Sequence, residues 1–222
     1  MIFELDNVEL YFKNKRVLNG IYLKAETGKV TSILGRNGCG KSSLMNIAFG
    51  YLKPKFKLVR LNNKPLLKPL YLTGSAKYLP QYNFIPNGMK LSFIFKLYKL
   101  SWNNFIENFN NFSIYKNSKI KALSGGERRI LETYITLKAK SDIVFLDEPF
   151  SHLSPLHIEV VKEIIDIEKK QKAIIISDHM YEHIIESSDD IYLLKNGTTK
   201  KIEKLTELED YKYLSEGCLI TS

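Results

Sequence analysis

Gly35-Arg36-Asn37-Gly38-Cys39-Gly40-Lys41-Ser42 decides the fold, because it fits the pattern G-x-x-x-x-G-K-[ST] in the context that pattern requires. Residues 29–34 (KVTSIL) before it are a β-branched run that reads as a buried strand. The stretch after it reads as a helix from about Lys41 to Phe49, closed by Gly50 as a C-cap. A polyphosphate seated here is wrapped by backbone N–H groups. A Cβ at Gly38 or Gly40 would block its approach or the dihedral the loop needs. The helix start near Lys41 points its positive end at the phosphates. Lys41 places an ammonium on the β/γ oxygens, the Ser42 hydroxyl is a ligand for Mg²⁺, and Cys39 fills space in the loop.

Working outward, residues 1–23 alternate: Phe3, Leu5, Val8, Leu10 and Phe12, then Val17, Leu18, Ile21 and Leu23 after a basic turn at 13–16. This reads as antiparallel strands with one solvated face. Residues 51–81 are rich in Pro, Lys and Leu, with short strands at 56–61 and 77–79. Residues 82–122 change composition to aromatics and Asn and read as a helical insert. The remainder alternates helix 126–138, strand 143–146, helix 156–170, strand 173–177, helix 180–187 and strand 190–194, then a hairpin turn at Asn196-Gly197. Strands alternating with helices predict a mostly parallel, doubly wound sheet.

Ile143-Val144-Phe145-Leu146-Asp147-Glu148 is a buried strand that delivers two carboxylates at its C-terminal edge, where open α/β sheets bind ligands. Asp147 suits the coordination shell of Mg²⁺, and Glu148 suits the polarisation of an attacking water.

With three further stretches these motifs resemble the nucleotide-binding subunits of ATP-binding cassette (ABC) systems. Leu123-Ser124-Gly125-Gly126-Glu127 matches that family's signature. Tyr78-Leu79-Pro80-Gln81 puts Gln81 at its Q-loop glutamine, and Ile176-Ser177-Asp178-His179 puts His179 at its switch histidine. The five motifs stand in the family's order, and the likeness covers nearly the whole chain. It is nearest in pattern to the branched-chain amino acid and lipopolysaccharide-transport branches.

The resemblance implies an α/β P-loop NTPase of ABC type: a mixed, mostly parallel sheet with helices on both faces, an N-terminal antiparallel β subdomain and a short α-helical insert. It implies one domain over 1–222, with a catalytic core at 1–81 and 126–222 and a helical subdomain at about 82–125. The implied activity is hydrolysis of ATP with Mg²⁺, powering a transporter. Nucleotide contacts fall on Phe12, Asn37, Gly38, Cys39, Gly40, Lys41, Ser42 and Ser43, with Tyr11 as the alternative to Phe12. Glu148, His179 and Gln81 are the catalytic set, and Ser42, Gln81 and Asp147 hold the metal, partly through water.

Two subunits of such a system pair head to tail on ATP, as a homodimer or with a second ABC subunit. Ser124, Gly125, Gly126 and Glu127 then meet the partner's nucleotide. The further implied partner is a separate transmembrane permease, with this chain peripheral on the cytoplasmic face of the membrane. Nucleic acid is not an expected partner. The alternative reading is a soluble non-transport ABC ATPase, for example in iron–sulfur assembly or linked to nucleic acid.

Two departures from the family stand out. Ser154 in Ser151-His152-Leu153-Ser154 replaces the usual Asp, keeping hydrogen-bonding capacity without charge. The helix after the signature reads RRILETYITLK in place of the usual Ala-Arg-Ala-Leu run. In the insert, Phe95, Tyr98, Trp102, Phe105, Phe109 and Phe112 recur alternately three and four residues apart, a helical stripe. It reads as internal core, in two helices broken at Ser101, or else as a groove for a coupling helix of the membrane partner. His152, His157 and His183 read as surface or capping residues, without metal-site spacing.

The composition excludes other classes. Of 222 residues 44% are hydrophobic and 26% charged, which is globular and neither disordered nor fibrous. A net charge of +9 points to an anionic partner or to a Lys-rich genome. Two cysteines, Cys39 and Cys218, make no disulfide framework and suit a reducing compartment. The N-terminus is not a signal peptide, and no 18-residue apolar run is long enough to cross a membrane.

Overall fold

A computed structural model describes residues 1–215; Cys218 lies outside the described residues. Alternation in the opening stretch becomes two long antiparallel strands, β1 (Ile2–Phe12) and β2 (Lys15–Glu26), with Phe3, Leu5, Val8 and Leu10 buried on one face. They join β4 (Phe56–Leu61) and β5 (Lys64–Pro65) in a four-stranded antiparallel sheet ordered β2-β1-β4-β5.

The second sheet has six strands in the order β10-β9-β3-β8-β7-β6. These are β3 (Val30–Leu34), β6 (Ala76–Leu79), β7 (Ile143–Asp147), β8 (Ala173–Ser177), β9 (Asp190–Lys195) and β10 (Thr198–Ile202). All neighbours are parallel except the β9–β10 hairpin, which turns at Asn196 and Gly197, both at positive φ. That pair of left-handed residues is the turn an Asn-Gly hairpin demands.

Strands buried on both faces read as continuous apolar runs, and the two cores divide them with period two. Val144, Leu146, Ile174 and Ile176 face one layer, which holds α4 (Gly125–Lys138), α5 (Pro155–Glu168) and α6 (Tyr181–Ser187). Ile143, Phe145, Ala173 and Ile175 face the other, against α1 (Lys41–Phe49) and the antiparallel sheet. Phe145 is central there, edge-on to Phe3 at 5.8 Å and to Phe49 at 6.0 Å.

The insert forms α2 (Leu91–Tyr98) and α3 (Trp102–Asn108), separated as expected at Ser101, which N-caps α3 by accepting from the Asn104 N–H. Phe112 lies on a following 3₁₀ turn, so the aromatic stripe crosses three short pieces. Phe95, Trp102, Phe105, Phe109 and Phe112 are all buried, which decides for the core reading and removes the stripe itself as a docking groove. Tyr134 of α4 supplies the cover, 4.8 Å from the Phe105 ring. The departure from the Ala-Arg-Ala-Leu run therefore has a packing reason: aromatic pairs of this kind contribute about 0.5–1.5 kcal/mol each.

Candidate nucleotide site

Four adjacent parallel strands, β3, β8, β7 and β6, release their chains at one edge of the sheet, and each is followed by one of the motifs. β3 leads to Gly35–Ser42, β8 to Asp178 and His179, β7 to Asp147 and Glu148, and β6 to Pro80 and Gln81. Residues far apart in the chain meet because strand order places their strands side by side.

A cavity of about 950 Å³ lies at this edge. It is lined by Phe12, Gln81, Glu148 and all of Asn37, Gly38, Cys39, Gly40, Lys41, Ser42 and Ser43. Phe12 is half exposed on the cavity wall. Tyr11 is engaged elsewhere: its hydroxyl accepts from Arg16 Nε at 2.8 Å, and Arg16 and Lys55 lie over its ring. Phe12 lines the cavity and Tyr11 does not.

The loop glycines differ in what they require. Gly38 has φ +77° with open space around it, so only the dihedral demands glycine. Gly40, at φ +110°, would also press a Cβ against Leu18 at 3.1 Å and Val17 at 3.3 Å. Lys41 is 6% exposed, and its ammonium donates to the carbonyls of Gly35 at 2.7 Å and Arg36 at 3.4 Å. The loop's own carbonyls hold its ammonium in place at the cavity lining. Burial pushes the Cys39 thiol above its ordinary value, with the charge of Lys41 opposing.

Gln81 draws the polar groups together. Its Nε2 donates to Ser42 Oγ at 2.9 Å and Glu148 Oε1 at 3.0 Å, and lies 3.4 Å from Asp147 Oδ1. Asp147 is buried and accepts from Ser177 Oγ at 2.7 Å and the Tyr78 hydroxyl at 3.2 Å. Burial raises its pKa, against those hydrogen bonds. Desolvation beside Asp147 also pushes the Tyr78 phenol well up, so it stays a donor at neutral pH. Glu148 sits at φ +55°, a conformation that costs a non-glycine residue about 1–2 kcal/mol. Its N–H donates to Ser177 O at 2.6 Å, which holds it there. His179 Nδ1 lies 3.8 Å from Glu148 Oε1.

Ser124, Gly125, Gly126 and Glu127 do not line this cavity. They open α4 with a capping box: Glu127 N–H donates to Ser124 Oγ at 3.3 Å, and Ser124 N–H to Glu127 Oε2 at 2.8 Å. Gly126 has a steric reason too, since a Cβ there would meet His152 O at 2.8 Å. Ser154 N-caps α5 and hydrogen-bonds His157 Nδ1 at 2.9 Å, so the histidine is a capping partner as expected. His183 is partly buried, with its ring 5.9 Å from Phe150. With Glu159 and Glu186 it forms a close cluster, but Lys162 bridges both carboxylates and already supplies the cation.

Sequence reasoning missed two residues. Arg129 is 5% exposed and donates to Pro80 O at 2.6 Å, to Asp147 O, and to Glu148 O from both Nη2 (2.9 Å) and Nε (3.2 Å). It ties the segment before Gln81, both carboxylate positions and the signature helix together. Asp178 is fully buried; Oδ1 accepts from the His179 and Met180 N–H groups and Oδ2 from the Phe150 N–H. A charged pair one turn into a helix and an acid directly after an apolar strand were the available signals.

The fold and the cradle define a P-loop nucleotide-binding ATPase. Residues 18–151 match the ABC transporter family. An uncharacterised ABC transporter ATP-binding protein of Methanocaldococcus jannaschii is 31% identical over 98% of this chain and 84% of its own length. The lipopolysaccharide export system ATP-binding protein of Haemophilus influenzae is 24% identical over 88% of each chain. The solved structure of an ATP-binding subunit of an ABC transporter superposes with a TM-score of 0.84, at 20% identity, over 99% of this chain and 97% of that one. The chain belongs to the ABC transporter ATP-binding family, and is a nucleotide-binding ATPase subunit that powers transport. No helix among the described residues is long and apolar enough to cross a membrane.

Proposed function

We propose that the chain binds MgATP with the triphosphate on residues 37–43 and the base against Phe12, and hydrolyses it once a second subunit closes over the site. The single observation that carries this reading is the convergence of Gln81 Nε2 on Ser42, Asp147 and Glu148 within 3.4 Å. A hydroxyl, a carboxylate and, after a half-turn of the amide, a carboxamide oxygen make a hard-oxygen set that fits Mg²⁺. Held by Ser42, Asp147 and Gln81, the ion would supply neutralisation of the charge on the transferred phosphoryl group.

The residues of the chain do the rest. Lys41 exchanges the carbonyls of Gly35 and Arg36 for phosphate oxygens. Glu148 accepts a hydrogen bond from the attacking water and orients it. His179, beside Glu148, hydrogen-bonds the γ-phosphate, and Gln81 reports its arrival to the insert at about 82–125. Ser124 and Gly125 are exposed at a helix N-terminus, and with the half-buried Gly126 and Glu127 they serve the nucleotide of a head-to-tail partner.

The membrane permease docks beside Gln81. Tyr51, Tyr71 and Tyr82 are exposed there, with the first two rings 5.2 Å apart and Tyr82 close to Tyr51, and Phe93 and Leu97 are exposed on α2. On this reading the subunit works peripherally, on the cytoplasmic face of the membrane. The test is Glu148→Gln: turnover should fall about 10²–10⁴-fold with ATP retained, and light scattering should find a dimer in MgATP. Normal turnover in that variant means that another carboxylate orients the water.

A further inference from the structure

The lysines of the insert have no acids to pair with. Between Glu26 and Glu107 the chain carries no Asp or Glu, and over 82–122 six lysines stand against Glu107 alone. All six, Lys90, Lys96, Lys99, Lys116, Lys119 and Lys121, are exposed, and none forms an ion pair among the described residues. A Lys-rich genome accounts for the lysines but not for the missing acids. In the catalytic core Lys162 lies between Glu159 and Glu186, and Lys169 between Asp166 and Asp189.

The fold gathers these charges. Residues 87–92 run beside 116–121: Ser92 N–H donates to Lys116 O at 2.8 Å, Leu91 N–H to Ser118 O at 3.0 Å and Lys121 N–H to Asn87 O at 3.2 Å. Lys90 and Lys119 stand opposite each other in an antiparallel bridge. Like charges so placed repel, and the ribbon keeps them at a cost to its own stability. Lys90 is also the N-cap of α2, and Phe93, Lys96 and Leu97 follow it at helical spacing, all three exposed. The basic ribbon therefore continues onto the face of α2 that shows Phe93 and Leu97.

We propose that Lys90, Lys116, Lys119 and Lys121 form a docking surface for anionic phospholipid headgroups, which hold the subunit against the membrane beside its permease. The proposal rests on the reading that α2 faces the permease. A subunit docked through Phe93 and Leu97 turns the lysines beside them toward the surrounding lipid. The cytoplasmic membrane surface is negative, and each lysine near it strengthens binding about fivefold. The chemistry favours lipid over nucleic acid. The ribbon is all lysine, whose compact ammonium suits a diffuse field of headgroup charge, and it lacks the guanidinium fork that grips phosphate and base edges. Arg128, the nearest arginine along the chain, is spent on Glu132, Asn87 and Ile85 O.

The experiment floats the full chain with vesicles of phosphatidylcholine, alone or mixed with phosphatidylglycerol. The ribbon variant combines Lys90→Gln, Lys116→Gln, Lys119→Gln and Lys121→Gln. A control of equal charge combines Lys140→Gln, Lys170→Gln, Lys200→Gln and Lys204→Gln, all exposed and away from the insert. The unaltered chain should bind the anionic vesicles only, and should release them as salt rises from about 0.1 to 1 M. The ribbon variant should bind at least about 50-fold more weakly and the control within about threefold. Arg at the same four positions should keep binding, because the charge is kept. Salt-independent binding, equal binding to neutral vesicles, no binding to either, or an equal loss in the control overturns the proposal. Capture of a single-stranded RNA by these lysines in place of vesicles overturns it too. Phe93→Ser with Leu97→Ser separates the two claims. Vesicle binding that depends on the lysines alone supports both; if the apolar pair is needed as well, that face enters lipid, and its reading as the permease dock fails while the ribbon stands.

Discussion

Replacing Arg129 by Met should separate the catalytic groups while leaving the phosphate cradle intact. The guanidinium is buried against three carbonyls, those of Pro80, Asp147 and Glu148. Met keeps most of the stem's volume but offers no donor. Hydrogen bonds from a charged donor contribute about 1.5–3 kcal/mol each, and carbonyls left buried without partners carry a desolvation penalty of similar size. Against this stands the removal of a buried charge, which is costly in itself: burial holds the Arg129 pKa below its ordinary value, with Glu132 and Asp147 opposing. Breaking a buried charged network typically destabilises by about 3–5 kcal/mol, and that is the expected loss in the midpoint-derived stability from urea unfolding at neutral pH. Arg129→Lys should recover little, because one ammonium cannot span the fork. In steady-state assays kcat should fall at least about tenfold, because Gln81 and Glu148 lose their shared anchor. KM should stay within a factor of about three, because the phosphate loop hangs from β3 instead. A destabilisation below about 1 kcal/mol together with unchanged kcat would refute the reasoning.

Two further outcomes follow from the site. Since burial raises the Cys39 pKa, its alkylation by iodoacetamide should be slow at neutral pH and accelerate about tenfold per pH unit below that pKa. Peptide-resolved mass spectrometry distinguishes it from Cys218, ATP should protect it, and alkylated protein should lose ATP binding; retained activity after full modification contradicts the position given to the thiol. Asp178→Asn can no longer accept from three N–H groups at once, so kcat should fall toward that of His179→Ala with ATP affinity little changed; wild-type kcat would show that the switch loop does not depend on it.

The fold was legible wherever a motif ended a β-branched run. Residues 29–34, 143–146 and 173–177 announced both their strands and the groups delivered at their ends, and Asn196-Gly197 announced its hairpin. Period alone did not say what the insert's aromatics face. Three-four spacing is a local property, and whether Phe105 meets its own chain or a partner depends on Tyr134, which arrives from α4 only after the chain has folded. Arg129 and Asp178 were illegible for the same reason: their acceptors and donors are backbone groups, which every residue carries and no sequence pattern marks. Gly126 was expected to meet a partner's nucleotide, yet it also makes room for His152 O.

The wall around Phe12 differs in construction from the floor. The floor hangs on strands buried in both cores, whereas the wall is two hairpin tips pressed together, with Asn19 N–H donating to Gly197 O at 2.7 Å and no space for a Cβ at Gly197 beside Val17 O. Insertions at such tips leave the sheet untouched. On the proposed reading, in which the base rests against Phe12, a change at these tips alters which ring is accepted without moving the groups set out to meet the anhydride.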